Sequence, residues 1–504
     1  MSVDPSARPS VTAAHPNPHH ERRWLVLVVV AVAQLMVVLD ATIVNIALPS
    51  AQKDLGFSTD NRQWIITAYA LAFGSLLLIG GKIGDLFGRK RTFMIGLVGF
   101  ALASAIGGAA PSFGVLVAAR VLQGMFGALL APAALSTLAT TFTDPAERGK
   151  AFGVFGAVAG GGSAVGLVLG GVLTETLNWR WCLFVNIVFA VGALIGASSL
   201  LHNTQSPQRP KLDWPGTLLA SSGLFCIVFG FSHAETTSWG NPLTLALLIA
   251  GVLLVAAFAT VQSRSANPLL PLRIVLDRTR GGSYLSVGLS ATAIFGVFLF
   301  LTFYLQLSKG YSPIVNGVSF LPLTVFIIAS STTANIKLLP RFGARPLVIT
   351  GMSAGAVGMF LFSRIGLHTS YVTGILPGLI ILGFGFGLIF APAINSATQG
   401  VRPQDSGVAS AMVNTMQQVG GSIGTALLST VAAHATLNKI GGYRNPANVV
   451  HGYDTAFLVS TFIFIVGACV CGSLLRSKTS QDALVARTAA AAASGAAPAP
   501  AFAH

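Results

Sequence analysis

The sequence predicts an all-α integral membrane protein of fourteen transmembrane helices, arranged as two six-helix bundles with two further helices inserted between them. Three observations carry this. Only 9% of the 504 residues are charged and 53% are hydrophobic, against about 25% charged in soluble domains. Apolar stretches close to the ~20 residues that cross a bilayer recur along almost the whole chain. Four short motifs of the first half also return in the second half, in the same order.

The elements follow in turn. Residues 1–23, with Pro5, Pro9, Pro16 and Pro18, read as a disordered cytoplasmic tail whose His15, His19 and His20 are solvated rather than metal-binding. Apolar runs then fall at roughly 24–50, 62–84, 92–110, 113–141, 151–173, 182–201 and 214–233. They continue at roughly 243–262, 283–307, 314–338, 346–363, 371–398, 407–433 and 454–474. The first run is too long for a cleaved signal peptide and is expected to stay as a helix. The expected organisation is a first bundle at 24–201, a linker with the inserted pair at 202–265, a second bundle at 266–475 and a disordered cytoplasmic tail at 476–504. No room remains for a sizeable domain outside the membrane.

Net charge is +15, from 30 Lys and Arg against 15 Asp and Glu. The basic residues lie in short loops between apolar runs, so they orient the chain in a membrane and do not form the solvated basic face that nucleic acid requires. With the N-terminus taken as cytoplasmic, 22 Lys and Arg fall on that side and 7 on the other, with Arg120 inside the fourth run. Both termini are therefore expected in the cytoplasm. The four cysteines lie in or beside apolar runs with no disulfide or zinc spacing.

The duplication is specific. Lys82-Ile-Gly-Asp-Leu-Phe-Gly88 pairs with Lys337-Leu-Leu-Pro-Arg-Phe-Gly343, and Ala-Pro-Ala-x-x-Ser recurs at 131–136 and 391–396. Pro-x-Glu-x-Gly-x-Ala at 145–151 returns as Pro-x-Asp-x-Gly-x-Ala at 403–409, and Gly161-Gly162-Ser163 returns at Gly420-Gly421-Ser422. Every pair is offset by 255 to 260 residues. Two halves in one membrane orientation are the parallel repeat of many secondary transporters. The runs at 214–233 and 243–262 match neither half.

The densest motif lies between the second and third runs: Gly81-Lys82-Ile83-Gly84-Asp85-Leu86-Phe87-Gly88-Arg89-Lys90-Arg91. Its glycines suit a tight turn and close helix approach. Asp85 can accept hydrogen bonds from a neighbouring helix N-terminus, whose dipole favours negative charge. A mere orienting cluster of charge is the plain alternative.

This loop resembles the signature loop of the major facilitator superfamily, departing only at Ile83 and Leu86. Leu39-Asp40-Ala41-Thr42-Ile43-Val44-Asn45-Ile46-Ala47-Leu48-Pro49 is similar to the first-helix signature of its fourteen-helix drug:proton antiporters. The resemblance extends to Leu116, Arg120, Gln123, Gly124, Gly127 and Ala128, to Trp179-Arg180-Trp181 with Phe184 and Asn186, and to Leu212-Asp213-Trp214-Pro215-Gly216. It also includes Tyr304-Leu305-Gln306 with Gly310-Tyr311-Ser312-Pro313, and it covers roughly residues 24–475. The antiporter motif of the fifth helix appears as Gly162-x-x-x-Gly166-Leu167-x-x-Gly170-Gly171, with Leu167 in place of the family's proline. Its glycines permit close packing; the proline kink is not expected.

Asp40 stands out because a carboxylate inside a span costs about 2.5–3.5 kcal/mol on insertion scales, which makes it functional by default. Burial favours the neutral form of a carboxyl group, which suits a site that takes up and releases protons. The other acidic residues are assigned to loops, tails or helix ends. Arg120 can bind an anionic substrate, pair with a carboxylate or tune a protonatable group; the resemblance implies proton coupling, and a purely structural bond is the alternative. Candidate cavity residues are Gln34, Asn45, Tyr69, Gln123, Tyr304, Gln306, Asn395, Asn414 and Gln417, with Gln418 beside them. Each suits substrate contact or an interhelical bond equally.

Gly420-Gly421-Ser422-Ile423-Gly424 matches Gly-x-Ser-x-Gly but lies within a membrane run, where the hydrolase elbow cannot form. No phosphate-binding Gly-x-x-x-x-Gly-Lys-Ser/Thr loop is present. The expectation is a non-enzymatic, proton-driven exporter of lipophilic drugs by alternating access, monomeric and without a cofactor, in a bacterial cytoplasmic membrane. A dedicated exporter of one self-made compound is the second reading. A non-transporting membrane sensor is the third, and it would need an output domain.

Overall fold

A computed structural model of the chain describes residues 22–57, 59–201, 213–265, 267–402, 405–439 and 445–478. The two expected tails fall almost wholly outside them. The described residues are helical with no strand. The first half comprises α1 (Arg23–Leu55), α2 (Thr59–Phe87), α3 (Arg89–Gly108), α4 (Phe113–Thr141), α5 (Pro145–Thr176) and α6 (Trp181–Leu200). Then come α7 (Trp214–Thr236) and α8 (Pro242–Arg264). The second half comprises α9 (Arg278–Gln306), α10 (Ile314–Phe342), α11 (Ala344–Phe362), α12 (Tyr371–Thr398), α13 (Ser406–Leu437) and α14 (Pro446–Leu474).

Several starts are legible in the local chemistry. Asp144, Asp213, Asn241 and Asn445 each precede a helix that opens with proline at its first or second position, and each side chain accepts from a backbone N–H of the first turn. An Asx cap followed by proline satisfies an orphan donor and omits another. Gly88 turns the chain from α2 into α3 at φ +96°, and Gly343 turns it from α10 into α11 at φ +77°. Only glycine adopts these angles without steric cost, so the duplicated loop is also duplicated in its backbone.

Among the described residues, twelve helices are long and apolar enough to cross a membrane, and α5, bent by 40° between Ala159 and Gly161, makes a thirteenth. The fourteenth, α13, has 32 residues, ample length, but Asn414, Gln417 and Gln418 make it too polar for the same standard. Its neighbours explain the polarity: α13 packs against α2, α4, α7, α9, α12 and α14, so protein rather than lipid surrounds much of it.

Packing repeats as the sequence does. The pairs α1–α5, α1–α6, α2–α4, α3–α4 and α3–α6 of the first half correspond to α9–α13, α9–α14, α10–α12, α11–α12 and α11–α14 of the second. The seam between halves is equally symmetric, with α2–α13 matched by α5–α10 and α4–α13 by α5–α12. This is the arrangement of parallel repeats about an axis along the membrane normal. The inserted pair sits outside the bundles: α7 packs on both α2 and α13 beside their seam, and α8 packs on α7.

The proline missing at Leu167 does not leave α5 straight. Its bend falls in the glycine run at 160–162, and glycine clusters are an alternative cause of kinks. Beyond the bend, Gly162, Gly166 and Gly170 face α1 turn by turn, and Gly171 faces Ile314 of α10. A Cβ at Gly166 would lie 2.1 Å from Thr42 Oγ1. Gly166→Val is therefore expected to lower thermal stability in detergent by about 1–3 kcal/mol, the usual cost of overpacking. Gly192→Ala, where nothing lies within 4 Å, is the control expected to leave the melting temperature unchanged. Equal melting of both variants would refute this account of α1–α5 packing.

Candidate functional site

Two groups of polar side chains are set into this apolar frame. The first lies within the first half. Asp40 on α1 is fully buried, and Arg120 on α4 nearly so. Arg120 Nη1 donates to Asp40 Oδ2 at 2.6 Å. Asp40 Oδ1 accepts from Gln123 Nε2 at 2.9 Å and from Asn186 Nδ2 at 2.7 Å. Ser104 on α3 accepts from the same two amides at 2.8 and 3.0 Å and donates to Leu183 O. Arg120 Nε donates to Ile65 O, and its guanidinium lies 4.3 Å from the centroid of the Tyr69 ring.

Five helices thus converge on one carboxylate. A buried charge pair needs good geometry and saturating hydrogen bonds to offset its desolvation, and both Asp40 oxygens have donors. Two polar atoms nearby remain open: the Tyr69 hydroxyl and Asn186 Oδ1 are buried without hydrogen-bond partners. Arg120 lies seven residues into α4, about 10 Å along a helix rising 1.5 Å per residue. The cluster is therefore shallow relative to the face opposite the basic loops.

The second group spans the seam at the basic face. Asp85, on the last turn of α2 rather than in a loop, accepts from Gly407 N at the start of α13 at 3.1 Å. Arg89 donates to Ser406 Oγ at 2.8 Å, and Ser406 bonds Ser136 of α4 at 2.8 Å. Gly81 and Gly407 allow this approach, since a Cβ at Gly407 would lie 2.4 Å from Gly81 O. Arg148 of α5 donates to Asn395 Oδ1 and Thr398 Oγ1 of α12, both at 2.8 Å. Asp405 adds an ion pair to Arg273 in the short helical turn Leu272–Val275. The bonds of Asp85, Arg89, Ser136 and Arg148 fasten the two halves together at their basic ends; the Asp405–Arg273 pair lies within the second half.

The sequence-predicted residues divide between these groups. Asp40, Arg120, Gln123 and Tyr69 meet in the first; Gly81, Asp85, Arg89 and Asn395 belong to the second. Gly84 and Gly88 shape the α2–α3 turn, and Lys90 donates to Ser198 O of α6 at 2.6 Å. Among the cavity candidates, Tyr304 is fully buried and donates to Gly366 O at 2.7 Å, a bond to the loop before α12. Asn414 donates to Ser410 O on its own helix. Gln306 and Gln417 are half-buried, and the buried Gln34 keeps Oε1 without a partner. The Asn45 side chain lies outside the described residues. Tyr304 and Gln306 are not gathered with the first group.

Sequence reasoning missed four participants. Asn186 and Ser104 are ordinary polar residues of apolar runs, although Asn186 belongs to a noted motif. Arg148 precedes the apolar run at 151–173 and so reads as a loop charge, yet it is buried inside α5. Asp454 falls at the first position of the apolar run at 454–474, but α14 begins at Pro446, so Asp454 stands about two turns inside it, with Oδ1 buried and unbonded. Asp40 is therefore accompanied by a second carboxylate within a span. Asp454 escaped notice because polar Asn448 and His451 precede it and mask the true start of the helix.

A two-fold repeated bundle of membrane-crossing helices, with a buried ion pair in one half and hydrogen bonds clasping the halves at one face, defines a membrane transporter rather than an enzyme. The Major Facilitator Superfamily description matches residues 30–425. A puromycin resistance protein of Streptomyces alboniger is 50% identical over 483 residues, covering 94% of this chain and 96% of that protein. A tetracenomycin C resistance and export protein of Streptomyces glaucescens is 35% identical over 436 residues, covering 86% and 80%. A solved major facilitator proton:xylose symporter bound to 6-bromo-6-deoxy-D-glucose shares the fold at TM-score 0.65 and 14% identity, over 91% of this chain and 97% of that chain. The chain belongs to the Major Facilitator Superfamily.

Proposed function

We propose that this chain is a proton-driven exporter of lipophilic antibiotics, working by alternating access as a monomer in a bacterial cytoplasmic membrane with both termini in the cytoplasm. The carrying observation is the buried Asp40–Arg120 pair with its saturated carboxylate. In this reading the proton gradient is the energy source and no cofactor is needed. Protonation of Asp40 removes the charge that holds Arg120, so the two protonation states favour different arrangements of α1 and α4. Substrate and proton must then differ in their affinity for the two conformations, since a ligand shifts an equilibrium only by that difference.

The basic-face clasp supports the same cycle: with it closed, the seam is fastened at the side where a cytoplasmic drug would enter. The exporter reading predicts that a pump-deficient bacterium expressing the chain accumulates several-fold less puromycin, and that a protonophore abolishes the difference. Unchanged accumulation of every compound tried would refute export. A dedicated exporter of a single compound is the second reading. It is favoured by the names of the relatives, which each specify one antibiotic, puromycin or tetracenomycin C. Reduced accumulation of several unrelated compounds would decide for a multidrug pump.

A further inference from the structure

Away from the seam, α11 and α14 enclose a groove of about 820 Å³ on the outer wall of the second half. Gly472 forms part of its floor, where a Cβ would come within 2.8 Å of Ile349. Val357, Phe360 and Ile465 wall it and are themselves exposed. In a membrane-spanning bundle such an apolar wall faces hydrocarbon, so an acyl chain is its natural filling. The groove runs from Arg345 to Phe360 along α11 and from Ser473 to Thr461 along α14. At 1.5 Å per residue that is roughly 20 Å, a little more than one leaflet of a hydrocarbon core about 30 Å thick.

Its mouth lies at the basic face and is not apolar. Arg345 lines the groove, is exposed, and makes no hydrogen bond or ion pair among the described residues. A second guanidinium stands at the same mouth, where Arg278 donates to Ser473 O at 3.1 Å. Among the described residues, no acidic side chain lines the groove. A planar guanidinium with free donors matches a phosphate diester in charge and geometry, and basic pockets between membrane helices are where anionic headgroups are held. We propose that this groove binds one anionic phospholipid of the leaflet at the basic face, its acyl chain lying between α11 and α14 and its phosphate held by Arg345.

The test uses full-length protein reconstituted in nanodiscs of equal phosphatidylglycerol and phosphatidylcholine, extracted in mild detergent and weighed intact with its retained lipid. Wild type is expected to retain phosphatidylglycerol over phosphatidylcholine by about fivefold, the factor one basic residue contributes near a charged lipid surface. Arg345→Gln removes the preference, and Arg345→Lys keeps most of it. Arg341→Gln, whose guanidinium stacks on Phe342 outside the groove, leaves it intact. Val357→Trp at an exposed groove position lowers retention of both lipids, while thermal stability reports that the bundle is folded. No preference in wild type, or an equal loss with Arg341→Gln, overturns the proposal. So does a dimer cross-linked through the exposed Cys469 of the groove, because a second copy would then be the occupant.

Discussion

Replacing Asp40 by asparagine is expected to reduce proton-driven export to the level of cells lacking the protein. The substitution keeps size but turns one of two acceptor oxygens into a donor and removes the one negative charge against Arg120, which is buried at 2.6 Å from it. Leaving a buried partner uncompensated costs about 3–5 kcal/mol, so the single variant is also expected to fold in lower yield. The double variant Asp40→Asn with Arg120→Gln separates these effects. With no charge left to compensate, it should recover folded yield by fluorescence-detected gel filtration while remaining inactive in export. A folded double variant that exports at the wild-type rate would mean that Asp40 serves structure alone.

The second large effect concerns the clasp at the basic face. Gly407→Val places a branched side chain where even a Cβ would lie 2.4 Å from Gly81 O and 2.8 Å from the Asp85 carboxyl. Backbone cannot yield as a side-chain tip does, so α2 and α13 must separate at their basic ends. Turnover is expected to fall by more than tenfold, while equilibrium drug binding changes little. Asp85→Asn is the milder version: it removes charge from the α13 N-terminus and from Arg89 nearby, an interaction worth up to about 2 kcal/mol when partly buried. Spin labels on the basic ends of α2 and α13 should report a longer mean distance in both variants, further in Gly407→Val. Loss of binding in parallel with turnover would show that these residues hold the substrate site and not the conformational equilibrium.

Much of the fold was legible because lipid imposes a simple composition rule. Each apolar run lies on a helix, and the repeated motifs at 82–88 and 337–343 end in glycines that both adopt positive φ. The polar character of α13 was the exception, for its many protein neighbours, not its length, determine what it tolerates. Scarcity of charge picked out Asp40 and Arg120, but their contact was not legible: 80 residues and two helices separate them in sequence, and no local spacing reports a bond between helices. Asn186 and Ser104 were invisible for the complementary reason, since Asn and Ser are common enough in spans to carry no signal alone. Arg148 was hidden by its position in a basic loop motif, where an orienting charge and a buried bridge to Asn395 read the same. Tyr304, a plausible cavity group from its sequence, proves to spend its hydroxyl on Gly366 O.

The central claim is that the buried pair in the first half couples drug movement to protons. The most direct measurement is drug-induced proton movement in proteoliposomes carrying a trapped pH dye, with wild type and the Asp40→Asn, Arg120→Gln double variant reconstituted in equal amount. The predicted result is a pH change on drug addition with wild type and none with the double variant, although both bind drug. A pH change of wild-type size from the double variant would contradict the claim.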